Sequence, residues 1–187
     1  AFAEYGARGA VYRGWARALL GDPANGSAEI RDGLARLQDI GTIEDFPLYF
    51  CMLAEAMARA GQADQALDRV TAAQAQLESA SVHIWKPELW RWIGELHLAN
   101  DGTGSANAET AFTLALRVAE AQGVPALALR AASSLARLLA DRACHADALR
   151  ALDRGLEPVV DEPENPERSA ARALRRAIAQ ATKGSLK

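Results

Sequence analysis

The sequence holds little that is suited to chemistry. Its 187 residues include two cysteines, two methionines and three histidines, and aromatics make up only 6%. Cys51 and Cys144 are far apart, each in a helical apolar pattern, so both read as buried free thiols of a reducing compartment, not as a disulfide or a metal site. None of His83, His97 and His145 has a second ligand three or four residues away, which leaves no helical metal pair. The basic residues are arginines apart from Lys86, Lys183 and Lys187, and the net charge is −3. That balance gives no basic footprint for DNA or RNA. No apolar run approaches the ~20 residues of a membrane span. Thr182-Lys183-Gly184-Ser185 lacks the leading glycine of a phosphate-binding loop. The Ser133-Ser134 pair has no His or Asp at a useful spacing for a nucleophile. No catalytic, cofactor or metal site is therefore expected. The start, Ala1-Phe2-Ala3-Glu4, has neither a Met nor a charged-then-apolar signal pattern. It reads as a cytoplasmic segment of a longer protein, already inside a helix.

What the sequence has in abundance is alanine, at 42 positions. Alanine is the best helix former, while strand-favouring Val, Ile and Thr are scarce. Within this helical background a repeat stands out. Gly26-Ile30-Gly33, Ala66-Val70-Ala73, Ala108-Phe112-Ala115 and Ala148-Leu152-Gly155 share one template: a small residue, a larger apolar residue four later, and a small one seven later. Successive copies lie about 40 residues apart. A second register lies upstream of each, at Gly14, Ala54, Gly94 and Ala136. Small residues allow two antiparallel helices to approach to about 8 Å, and the larger ones fill the gaps beside them. Around Gly94 the run Trp90-x-x-Ile93-Gly94-x-x-His97 is close to the W-x-x-L-G-x-x-Y of the tetratricopeptide repeat, with His97 where Tyr is expected.

Punctuation sets the boundaries. Gly41, Gly61, Gly123 and the 101–104 stretch stop helices, and Pro47, Pro87, Pro125 and Pro166 sit in first turns. Helices are predicted at about 3–20, 26–40, 46–60, 63–79, 86–100, 105–122, 125–142 and 145–157. A last helix, about 166–182, follows the acidic break of residues 161–165. It presents Ala170, Leu174, Ala177 and Ile178 on one face and arginines on the others, as a polar cap of a stack requires. The expected fold is all-α: a single domain over 1–187, a right-handed superhelical solenoid of about four helix pairs (3–40, 46–80, 86–122 and 125–160) with a capping helix.

Three stretches, Pro47–Ala66, Glu88–His97 and Ala108–Leu139, together with Gly14-Trp15-Ala16, resemble the C-terminal tetratricopeptide region of large bacterial signalling ATPases. Those proteins join an adenylyl cyclase or winged-helix DNA-binding domain to a P-loop ATPase domain and then to repeats. The resemblance implies a regulatory or protein-contact module without catalytic residues of its own. Trp92 and Ile93 depart from that family, where Leu and Arg are common.

In such stacks the first helices of successive repeats line the concave face. Mapped on the motif, the candidate groove comprises Glu55, Arg59, Glu88, Arg91, Glu95, Arg130, Arg137 and Asp141; Trp92, which does not fit the motif, joins it as a candidate exposed aromatic anchor. One reading is that Arg91, Arg130 and Arg137 take carboxylates of an extended peptide, of a partner protein or of another domain of the parent chain. The other is a solvated face of intramolecular ion pairs. A small-ligand sensor and self-association through an exposed end of the stack are the alternative functions.

Overall fold

The computed structural model describes residues 2–42, 44–77, 84–159, 163 and 165–184. His83, Ser185, Lys187 and residues 161, 162 and 164 of the acidic break lie outside the described residues. Among the described residues the chain forms nine α-helices and one 3-10 turn, with no strand. It divides into two compact units, Ala1–Trp85 and Lys86–Lys187.

The first unit contains α1 (Phe2–Leu19), α2 (Pro23–Ile40), α3 (Phe46–Arg59) and α4 (Ala63–Leu77). The second contains α5 (Lys86–Asp101), α6 (Ala106–Ala121), α7 (Pro125–Asp141), α8 (His145–Leu156), the 3-10 turn Glu157–Val159 and α9 (Pro166–Gly184). The helix ends follow the predicted punctuation to within a few residues. The largest departure is α2, which starts at Pro23 and not at about 26. Proline in the first turn costs no hydrogen bond, so the Asp22-Pro23 step was itself a start signal.

Both packing registers are buried. Ile30, Ala66, Val70, Ala108, Phe112, Ala115, Ala148 and Leu152 are all at most 1% exposed. The pairs α1–α2, α5–α6 and α7–α8 each close on glycine. A Cβ built on Gly14 would stand 2.6 Å from the carbonyl oxygen of Gly26, and one on Gly26 2.5 Å from that of Gly14. In the second unit a Cβ on Gly94 would meet the Phe112 ring at 2.5 Å, and one on Gly155 the Ala132 Cβ at 2.7 Å. In the first helix Val11, Gly14 and Ala18 are buried, whereas Trp15 is half-buried and Leu19 exposed. Trp90 and His97, at the Trp and Tyr positions of the motif, are half-buried, and His97 Nδ1 lies 3.5 Å from an Asp101 carboxylate oxygen.

Two expectations are corrected. Cys51 is buried, but Cys144 is exposed, because it precedes α8 in a tight turn outside the helical stripe. On α9 the buried residues are Arg168, Ala171 and Ile178, while Ala170 and Ala177 are exposed and Leu174 is half-buried. The helix is thus rotated from the all-apolar face expected for it. An arginine can occupy such a stripe because its aliphatic stem packs like a hydrocarbon. Arg175 on the outer side of α9 pairs with Asp153 of α8 at 2.6 Å, and its guanidinium is held in the charged form by that carboxylate.

A left-handed residue ends the first helix of several repeats. Gly21, Gly61 and Ala143 each follow the small contact residue by seven positions and have φ of 103°, 74° and 59°. Ala143 carries the Cβ penalty that the two glycines avoid. Ala143→Gly is expected to stabilise the protein by about 1 kcal/mol, read as a raised midpoint in urea unfolding with an unchanged slope.

Candidate functional site

Within each unit the first helix of one repeat bonds to the first helix of the next from two register positions, six residues before and one after its small contact residue. In the first unit these are Arg8 and Trp15 on α1. Arg8 donates to Glu4 at 3.0 Å, to the Tyr49 hydroxyl at 3.1 Å and to Asp45. The adjoining carboxylates raise its pKa, so it stays charged. Tyr49 is buried, which pushes its hydroxyl up to about 12, and its ring meets Tyr12 edge-on at 6.0 Å. Trp15 Nε1 donates to Glu55 at 2.9 Å. Glu55 in turn accepts from Arg59 at 2.9 Å, one turn further along α3. The two groove residues predicted in this unit are therefore an ion pair tied to α1.

In the second unit the same positions are Glu88 and Glu95 on α5, and Arg130 and Arg137 on α7. The α5–α7 pairing is charge-complementary, and it extends into a ladder. Glu88 is 3% exposed. It accepts from Arg91 at 2.7 and 3.0 Å and pairs with Arg130 at 3.1 Å. Arg91, itself buried, also donates to Glu95 at 3.0 Å. Glu95 accepts from the Ser134 hydroxyl at 2.7 Å, and Ser134 accepts from Arg137 at 3.1 Å. Arg137 stands 3.7 Å from Glu95, and Arg130 Nε stands 3.5 Å from Glu167 on α9. The order of charges, Glu167, Arg130, Glu88, Arg91, Glu95, Arg137, alternates throughout. The Arg91 guanidinium lies over the Trp92 ring at 4.8 Å, which places that half-buried indole beside the ladder. Asp141 is exposed in the last turn of α7, one turn beyond Arg137.

A cavity of about 360 Å³ opens on this ladder. Its polar wall is Arg91, Arg130, Ser133, Ser134 and Arg137; its apolar wall is Leu129 with Ala170, Ala171 and Leu174 of α9. Sequence reasoning grouped the arginines but missed Glu167, Ser134 and the contribution of α9. Glu167 lies in the first turn of a helix taken as a cap, and nothing local marks which way that turn points. Ser134, which lacks a catalytic partner in the sequence, bridges a carboxylate and a guanidinium. Among the described residues no cluster of His, Cys, Asp and Glu could hold a metal ion, and no helix is long and apolar enough to cross a membrane.

No family model matches the chain. Its fold is nonetheless the tetratricopeptide-like repeat. A Podosopora anserina putative kinesin light chain with nearly identical tetratricopeptide-like repeats superposes at a TM-score of 0.71, with 14% identity over 95% of this chain and 87% of that one. A Pyrococcus horikoshii signal transduction ATPase with numerous domains and a tetratricopeptide repeat sensor superposes at 0.71, with 12% identity over 96% of this chain and 28% of that one. In sequence, 128 residues are 32% identical to an uncharacterized protein of Rhizobium meliloti (strain 1021). That match takes in 68% of this chain and 12% of the relative's length.

The ladder predicts an ordering of stabilities. Glu88 is buried and neutralises Arg91 and Arg130, so Glu88→Ala is expected to cost about 3 kcal/mol. Glu167→Ala removes a half-exposed pair and is expected to cost less than about 1 kcal/mol. Urea unfolding of the two variants, followed by circular dichroism, checks the order.

Proposed function

We propose that this chain is a non-catalytic protein-interaction repeat of a cytoplasmic, multidomain bacterial signalling ATPase whose output is a cyclase or a transcriptional regulator. Four features support the reading: the repeat fold, the likeness of Pro47–Ala66, Glu88–His97 and Ala108–Leu139 to such proteins, a solved neighbour in which similar repeats are named a sensor, and a relative about eight times longer than the matched segment. The carrying observation is the cavity beside the ladder. It sets arginine side chains and an apolar wall side by side on a rigid helical frame, the combination that anchors a partner side chain.

In this reading Arg130 and Arg137 meet the partner. Arg91, Glu88 and Glu95 hold them in place from beneath, while Trp92 and Asp141 border the contact. In the first unit Glu55 and Arg59 offer a smaller, separately placed polar contact. The partner is a peptide, a protein or another domain of the parent chain. The cavity volume also lies at the lower end of the range for small-molecule pockets, and on that observation a small-ligand sensor is the second reading.

Affinity capture from lysate of the source organism, with the chain and its Arg137→Glu variant as baits, separates these readings. Arg137 is the arginine to change because its side chain is 54% exposed at the end of the ladder, so the variant leaves the buried Glu88–Arg91 pair in place. The expected outcome is a protein retained by the parent and lost by the variant, with proteins and metabolites both identified by mass spectrometry. A metabolite lost in its place establishes the sensor reading. Identical retention by both baits, with both folded by circular dichroism, removes this surface as the contact.

A further inference from the structure

The geometry points to a carboxylate-binding site between α7 and α9 in which Glu167 of the chain itself occupies the ligand's place and competes with it. The inference rests on the interaction reading above and adds the ligand's chemistry and its regulation. Three observations carry it. First, the cavity walls hold three guanidinium groups against one carboxylate, Glu167. Glu88 and Glu95 balance two of those guanidinium groups through the ladder between α5 and α7, which leaves Glu167 as the counter-charge of the third.

Second, the two arginines nearest solvent are held ready. Arg130 is fixed at one side by Glu88 at 3.1 Å and turns its Nε toward Glu167 at 3.5 Å. Arg137 is fixed by the Ser134 hydroxyl at 3.1 Å. An arginine already held in one rotamer gives up little entropy when a carboxylate docks on its remaining N–H groups. Third, the opposing wall is made of Ala170, Ala171 and Leu174. Two alanines leave the space open, and Leu174 with Leu129 offers an apolar neighbour to whatever carries the carboxylate.

Glu167 is the natural competitor because its exchange conserves charge. A ligand carboxylate arriving on Arg130 replaces one anion by another, and Glu167, whose side chain is 53% exposed, turns back to water at small cost. Arg168, Ala171 and Ile178 are buried and Arg175 is paired to Asp153, so α9 stays docked while the Glu167 side chain is exchanged. The ligand is thus a carboxylate beside an apolar group. It arrives either as an acidic side chain flanked by aliphatic residues in a peptide or as a free aliphatic dicarboxylate.

The test follows the Arg130 and Arg137 Nε–H resonances of the full chain in NMR titrations. One probe is the blocked tripeptide N-acetyl-Leu-Glu-Leu-amide, and the other is glutarate. Parent, Glu167→Gln and Arg137→Gln proteins are compared, with amide spectra confirming the fold of each. The expected result is that the peptide shifts both resonances, that Glu167→Gln tightens binding about two- to fivefold, and that Arg137→Gln weakens it by at least as much. The same pattern with glutarate alone supports the site and assigns it to a free dicarboxylate. Equal affinity in the parent and Glu167→Gln overturns the competition but leaves the interaction reading standing. Binding of neither probe by folded Glu167→Gln overturns the carboxylate site, and lysate capture then decides the interaction reading separately.

Discussion

Every other feature of this protein depends on how closely the helices of a pair approach. Gly14 against Gly26, Gly94 against Phe112 and Gly155 against Ala132 leave no room for an added methyl group. These contacts fix the rotation of each helix about its own axis. Once that is set, Glu88 and Glu95, six before and one after the small residue of α5, face Arg130 and Arg137 at the same positions of α7. The ladder of Glu88, Arg91, Glu95, Arg130 and Arg137 follows from this phase. The charges add specificity to an arrangement that apolar packing has already chosen, because half-exposed pairs by themselves contribute little. Glu88 differs: buried and doubly paired, it makes any other register of α5 on α7 costly.

The two units use the shared positions differently. In the first, the α1–α3 contacts combine an aromatic donor, Trp15, with an arginine that joins Asp45 and Tyr49. In the second, the α5–α7 contacts are ionic and continue to α9 through Glu167. A cavity with arginine on one side and alanine on the other forms only where the ladder runs on to a helix with small residues facing it. That is why the binding proposal rests on the second unit, and why α9 is read as part of the site as well as a cap.

The sequence made the helices and their contacts legible because both leave local marks. Glycine and proline mark the ends, and the small-large-small spacing marks the buried stripe, so the spacing alone assigns Phe112 and Ile30 to the interior, where both lie. The candidate groove was legible in part: the spacing brought Glu88, Arg91, Glu95, Arg130 and Arg137 to one face. It could not show that they would bond to one another, since that depends on how two helices 42 residues apart in sequence are phased. For α9 no contact motif existed, so its face was chosen by hydrophobicity alone. The real docking, with Arg168 inward and Ala170 toward the cavity, depends on the shape of α7 and α8. Cys144 failed for a related reason: a helical pattern was extended across a turn that Ala143 enters with a left-handed backbone.

The Gly94–Phe112 contact sets the approach of α5 and α6. The most direct measurement is a double-mutant cycle on thermal and urea stability with Gly94→Ala and Phe112→Leu. Alanine in a helix interior is worth up to about 1 kcal/mol over glycine, but here its methyl group meets the phenyl ring. Gly94→Ala is therefore predicted to destabilise the parent and to stabilise the Phe112→Leu background, with a coupling of at least about 1 kcal/mol. An equal stabilisation in both backgrounds would show that the helices are not in contact there, and the packing account would be wrong.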